Sequence, residues 1–132
     1  MAESQLIEAI RQRLDREGML SCADAFGIAV ELRVDPLEIG RAADEMGIRL
    51  NRCQLGLFGY GPKAEGRHRI VRPAEVIKPG LAQAIHDGLS AGALACETAW
   101  EIASGLRVSK LEVAAAVERL GIRVIRCQLG AF

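Results

Sequence analysis

Cysteine is the residue type whose placement most invites chemistry. The chain has four, Cys22, Cys53, Cys96 and Cys127. Four thiols are the ligand set of a structural zinc ion or of an iron–sulfur cluster. Their spacing lacks the signature of either. No two are separated by the short interval of a CxxC motif, and Cys22 and Cys53 stand 31 residues apart, as do Cys96 and Cys127. Antiparallel pairing of Met19-Leu20 with Ile48-Leu50 would also send Cys22 and Cys53 to opposite ends of a strand pair. On that reading the thiols are small apolar side chains, two on helices and two on strands. Neither a metal nor another cofactor is then expected.

Other catalytic candidates are sparse. His68 and His86 are the only histidines, and His86 sits beside Asp87 on a helix, facing solvent. The run GYGPKAEG at 59–66 has glycines and a lysine but lacks the spacing and the following helix of a phosphate loop. No nucleophile–base pair or carboxylate dyad emerges, so the chain is not expected to be an enzyme.

The cysteines instead expose the organisation of the chain. Residues 18–58 and 92–132 align without a gap at an offset of 74, with 21 of 41 positions identical. Each cysteine has its counterpart, and RCQLG occurs at 52–56 and again at 126–130. A repeat of this length is a whole structural unit. Residues 1–72 form copy one, 73–79 a linker marked by Pro73 and Pro79, and 80–132 copy two.

The hydrophobic pattern gives three helices per copy. Leu6, Ile7, Ile10 and Leu14 make a helical stripe, as do Leu81, Ile85 and Leu89. Ser21 reads as an N-cap with Asp24 three residues on, opening a second helix whose face is Cys22, Ala25, Phe26 and Ala29. Asp35 or Ser109 caps a third helix, with Pro36 at its first position and Gly47 or Gly121 as its stop. Its core stripe is Ile39, Ala42, Ala43 and Met46, or Val113, Ala116, Val117 and Leu120. A strand-like run, IRLNRCQ or IRVIRCQ, follows. In copy one a Gly-rich loop leads to a second strand at 67–71, which would close a β-hairpin. Copy two reaches Phe132 before such a hairpin can return.

The segment IASGLRVSKLEVAAAVERLGI resembles the winged helix-turn-helix superfamily. Ala103 stands at the small-residue position where the second and third helices cross. Leu106 and Val108 plug the turn, and Val113 is the buried residue of the third helix. Ala29, Leu32, Val34 and Ile39 take the same places in copy one. Arg107 stands where that family often has glycine. The resemblance implies a mainly α fold, a tandem repeat of a three-helix helix-turn-helix unit with a short β-hairpin as wing. It also implies double-stranded DNA as partner and transcription regulation as role.

The charges qualify that expectation. Lys plus Arg and Asp plus Glu both number 17, so no global basic field exists. Residues 1–61 carry 7 basic and 10 acidic groups, whereas 62–79 carry 5 and 2. On the third helices only Arg41 and Lys110 suit base or phosphate contact, while Asp44 and Glu45 oppose it. Arg49, Arg52, Lys63, Arg67, His68 and Arg69 cluster on the wing, the expected DNA-contacting surface. The alternative is a protein-interaction or accessory module, using the apolar face Leu111, Ala114 and Ala115 against another helix or in a homodimer. A cysteine-based metal or redox sensor is a third reading. No run of 18 apolar residues exists, and MAESQLIEAIRQRL is amphipathic without a signal-peptide core. A cytoplasmic protein without a membrane span is expected.

Overall fold

The computed structural model describes residues 2–131; Phe132 lies outside the described residues. The chain is mainly helical. Copy one contains α1 (Ala2–Gln12), β1 (Leu20–Ser21), α2 (Cys22–Leu32), α3 (Pro36–Glu45) and β2 (Leu50–Asn51). Copy two repeats the order as α4 (Pro79–Asp87), β3 (Leu94–Ala95), α5 (Cys96–Leu106), α6 (Lys110–Arg119) and β4 (Val124–Ile125). A 3-10 turn, Lys63–Glu65, lies in the long loop after β2. Among the described residues no helix is long and apolar enough to cross a membrane.

Local chemistry sets the helix ends. Ser21 Oγ accepts from the Asp24 amide at 3.1 Å, giving α2 its N-cap. Asp35 caps α3 through the Leu37 amide, with Pro36 at the first helical position, where no N–H is required. Ser109 caps α6 through the Glu112 amide. Arg33 and Arg107 end α2 and α5 in the left-handed region, at φ 56° for each. That conformation is why a glycine would suit this turn, and why arginine there is a small local cost. Leu106 is 43 % exposed and does not plug the turn. Val34 and Val108 do pack toward the cores, and Ala29 and Ala103 are buried at the helix crossings.

The strands depart from expectation. β1 pairs with β2 in parallel, Leu20 opposite Leu50 and Ser21 opposite Asn51. β3 pairs with β4 in the same way, Leu94 opposite Val124. Two successive helices carry the chain out and back, so the second strand leaves in the direction of the first. The antiparallel pairing of Met19-Leu20 with Ile48-Leu50 is thus corrected, and Cys22 and Cys53 leave the same end of their strand pair. Residues 67–71 form no strand. The loop folds back through Tyr60 N–H to His68 O at 3.3 Å and Ile70 N–H to Gly56 O at 2.9 Å. The β-hairpin expected as a wing is absent among the described residues.

The cores are exchanged between copies. Leu6, Ile10, Leu20, Ala25, Ile28 and Ile39 of copy one close over Leu129 of copy two. Leu81, Ile85, Leu94, Ala99, Val113 and Val117 close over Cys53 and Leu55 of copy one. Gly40 on α3 makes the approach possible, because a Cβ there would lie 1.7 Å from the Leu129 carbonyl oxygen. At equivalent places, a Cβ on Gly56 would meet Leu111 Cδ1 at 2.8 Å, and one on Gly130 would meet Leu37 Cδ1 at 2.9 Å. Phe26 and Trp100 occupy the same position of the repeat, and their rings meet at 4.3 Å. Equivalent residues touch only on a twofold, so the copies form an isologous pair about a pseudo-twofold axis.

Exchange makes a specific demand on mutants. Leu55→Ala should cost about 2–5 kcal/mol and loosen α4, α5 and α6, not the copy that carries it. Leu129→Ala should loosen α1, α2 and α3 instead. Hydrogen exchange resolved by helix checks both. At the helix crossings, Ala29→Leu or Ala103→Leu should cost roughly 1–3 kcal/mol by overpacking, seen as a lower denaturation midpoint.

Candidate functional site

Two sets of candidate side chains are considered in turn: those of a basic groove between the copies, and the four cysteines. The groove, about 1160 Å³, is bordered by Arg49, Arg52, Lys63, Arg67, His68 and Arg69 of copy one and by Arg123 of copy two. The residues expected on a wing therefore do converge, although on an irregular loop. Glycine permits that loop to close: a Cβ on Gly59, at φ 82°, would lie 2.5 Å from the Arg52 nitrogen. Tyr60 pins it further, its hydroxyl donating to the Cys53 carbonyl at 2.6 Å.

Acidic groups share the groove. Asp15, Glu17 and Glu118 border it. Arg69 is ion-paired with Glu118, and Arg67 lies 3.4 Å from Glu65 in a solvent-exposed pair of small energetic worth. Arg49, Arg52, Lys63 and Arg123 make no ion pair among the described residues. Asp15 serves structure. Its carboxylate accepts from the amides of Glu17 and Met19, each at 2.9 Å, and from Asn51 Nδ2 at 2.8 Å. The Met19 amide foremost, then Asn51, hold its carboxyl below the usual range. Asn51 is buried, and its Oδ1 has no partner among the described residues.

The remaining candidates lie apart. Arg41 is exposed on α3 and does not border the groove. Lys110 Nζ sits 4.5 Å from the centroid of the Trp100 ring, a cation–π contact. Ala114 is buried, the carbonyl of Ala115 accepts from the Ala74 amide at 3.0 Å, and Leu111 rests by Gly56. The face Leu111, Ala114 and Ala115 is thus largely occupied from within the chain. Sequence reasoning missed Arg123 and Asn51 as groove residues. Arg123 was visible as the repeat partner of Arg49, but only the inter-copy geometry brings it across.

The cysteines take equivalent places in the two copies. Cys22 and Cys96 are the first residues of α2 and α5. Cys53 and Cys127 each open a tight turn, closed by Gly56 N–H to Cys53 O and by Gly130 N–H to Cys127 O, both 2.9 Å. Arg52 and Arg126 enter these turns at φ 49° and 53°. Gln54 Nε2 points at Cys22 Sγ from 3.9 Å, and Gln128 Nε2 at Cys96 Sγ from 3.5 Å. Burial pushes the Cys22 thiol up to about 12, opposed by the Gln54 amide and reinforced by Cys53 and Cys96. Burial likewise raises Cys53, against amides of Leu57, Leu55 and Gly56 that donate toward its sulfur. All four cysteines are free thiols. Among the described residues, no three His, Cys, Asp or Glu side chains are arranged to hold a single metal ion.

Comparison of the chain with family models, with curated proteins and with solved structures gives no match in any of the three. Any functional reading rests on the geometry.

The Asp15 linkage has a defined pH signature. A carboxyl depressed in the folded state contributes stability above its unfolded pKa, about 3.9. That contribution is lost as pH falls through the lower folded value. Asp15→Ala should therefore be less stable than the parent protein at neutral pH. The difference should shrink as pH drops below about 3.9, measured by urea denaturation across that range.

Proposed function

We propose that this chain is a fused pair of helix-turn-helix-type units that binds double-stranded DNA through its phosphates, without reading bases. The observation that supports it is the convergence of Arg49, Arg52, Lys63, Arg67, His68, Arg69 and Arg123 on one groove. The arrangement of the third helices supports the absence of base readout. In a helix-turn-helix reader, the N-terminal part of the third helix enters the major groove. Here Leu37 and Gly40 of α3, like Leu111 of α6, face the RCQLG turn of the other copy. A transcriptional role would then rest on coating or bending DNA, with sequence preference set elsewhere.

The accessory-module reading draws on a different observation. Leu111 is 40 % exposed and Ile70 44 %, and both border the place of a Gly56 Cβ. A small apolar patch therefore remains beside the covered face.

A salt series on mixed-sequence duplex DNA separates the two. Phosphate binding gives a negative slope of log affinity against log salt, close to one unit per phosphate neutralised. Arg49→Ala/Lys63→Ala/Arg67→Ala should flatten it by about three units, equally for all sequences. Arg41→Ala should leave it unchanged. A parent protein with no measurable slope would sink the DNA reading.

A further inference from the structure

The turn at 53–56 is covered, and its repeat at 127–130 is open: Gly56 is buried and Gly130 exposed. One segment makes the difference. In copy one, residues 69–74 return across the turn and over α6. Ile70 and Val71 both donate their amides to the Gly56 carbonyl, at 2.9 and 3.1 Å. Val71 is buried in the core that contains Val113 and Val117. Arg69 is ion-paired with Glu118. The Ala74 amide donates to the Ala115 carbonyl at 3.0 Å, and Arg119 Nε donates to the Ala74 carbonyl at 2.6 Å. Residues 69–74 are thus a strap held at both ends by its backbone.

The repeat places the same cradle on α3. Leu37 corresponds to Leu111, Arg41 to Ala115, Asp44 to Glu118, Glu45 to Arg119 and Gly130 to Gly56. Among the described residues no strap lies on it. A Cβ on Gly56 would meet Leu111, Ile70 and the Val71 nitrogen, whereas one on Gly130 would meet Leu37 alone. Leu37 is 36 % exposed. Among the described residues, the Gly130 carbonyl accepts no backbone amide and Asp44 makes no ion pair.

These groups specify an occupant. The free carbonyl suits the amides of an extended backbone. Leu37 offers contact to an apolar side chain, and Asp44 to a cation. The charge of the helix points the same way. α3 carries Glu38, Asp44 and Glu45 against Arg41, a net of −2, whereas Lys110 and Arg119 balance Glu112 and Glu118 on α6. A basic segment is favoured on such a face over an acidic one.

We propose that α3 and the turn at 127–130 form a docking site for a basic, extended peptide of a partner protein. The peptide carries Arg or Lys directly before two β-branched apolar residues, and it lies on α3 as residues 69–71 lie on α6. Leu37, Arg41, Asp44, Glu45 and Gly130 are not among the residues that border the basic groove, and the site does not require DNA binding.

The probe is a fluorescent synthetic peptide of residues 67–75, RHRIVRPAE, titrated into the full chain and followed by anisotropy. It should saturate at one peptide per chain. Asp44→Arg, checked for helix content by circular dichroism, should bind it about fivefold more weakly. An Arg69→Glu peptide should lose affinity for the parent chain and regain it on Asp44→Arg, a rescue that loss of fold does not give. A photoreactive residue in place of Ile70 of the peptide should crosslink to α3 or to residues 127–131. The proposal is overturned if the peptide does not bind, if a scrambled peptide of the same composition binds equally, or if Asp44→Arg leaves the affinity unchanged. Crosslinks confined to α6 and residues 53–56 also overturn it, because the peptide then only displaces the strap. So does a parent chain that sediments as a dimer and dissociates on adding the peptide, because the occupant is then a second copy.

Discussion

Leu129 completes the core of one copy and Leu55 that of the other, and each leucine belongs to the opposite half of the chain. A unit of this size buries little apolar surface by itself. The aromatic side chains are few, and the helix faces are rich in alanine, so a buried leucine is a large share of each interior. Exchange supplies that leucine while fixing the two copies about one axis. The turn around it is built for the purpose. Left-handed Arg52 and Arg126 aim the chain, and Gly56 and Gly130 let the Leu111 and Leu37 side chains approach. The repeated RCQLG motif thereby acquires a role residue by residue: arginine for direction, glutamine toward a thiol, leucine for the partner core, glycine for closeness.

The groove is a consequence of that docking. Arg123 stands near Arg49 and Arg52 because copy two is held against copy one. Cys53 enters the core of copy two with Leu55, two residues on. The covering of α3 and α6 follows as well, which steers the functional reading from base contacts toward phosphate contacts.

Local signals carried well from sequence to structure. Ser21 with Asp24, Asp35 with Pro36, and the glycines after α3 and α6 each mark a helix boundary through hydrogen bonds spanning a few residues. The repeat itself placed the equivalent elements. Nonlocal features did not carry. An alternating run such as IRLNRCQ states that a strand is present but is silent on its direction, which the two-helix crossover decides. The expected hairpin failed for a related reason: β2 finds its partner in β1, so residues 67–71 fold back onto the Gly56 turn instead. Leu106 matched its family position by type, yet it is exposed. The basic residues were legible as a cluster in sequence, and their convergence with Arg123 was not.

The duplication also constrains how this molecule can have changed over time. In a homodimer of single units, every substitution appears on both sides of the axis at once. Fusion frees the sides to diverge. Asn51, tied to Asp15, corresponds to Ile125, and Gly40, pressed against the Leu129 carbonyl, corresponds to Ala114. Such pairs are departures from symmetry that only a covalently joined pair can fix independently. The docked turns, in contrast, remain alike because each half still depends on the other for its interior. Likeness between the halves is therefore held in the docked turns, RCQLG at 52–56 and at 126–130, while positions outside them are free to differ.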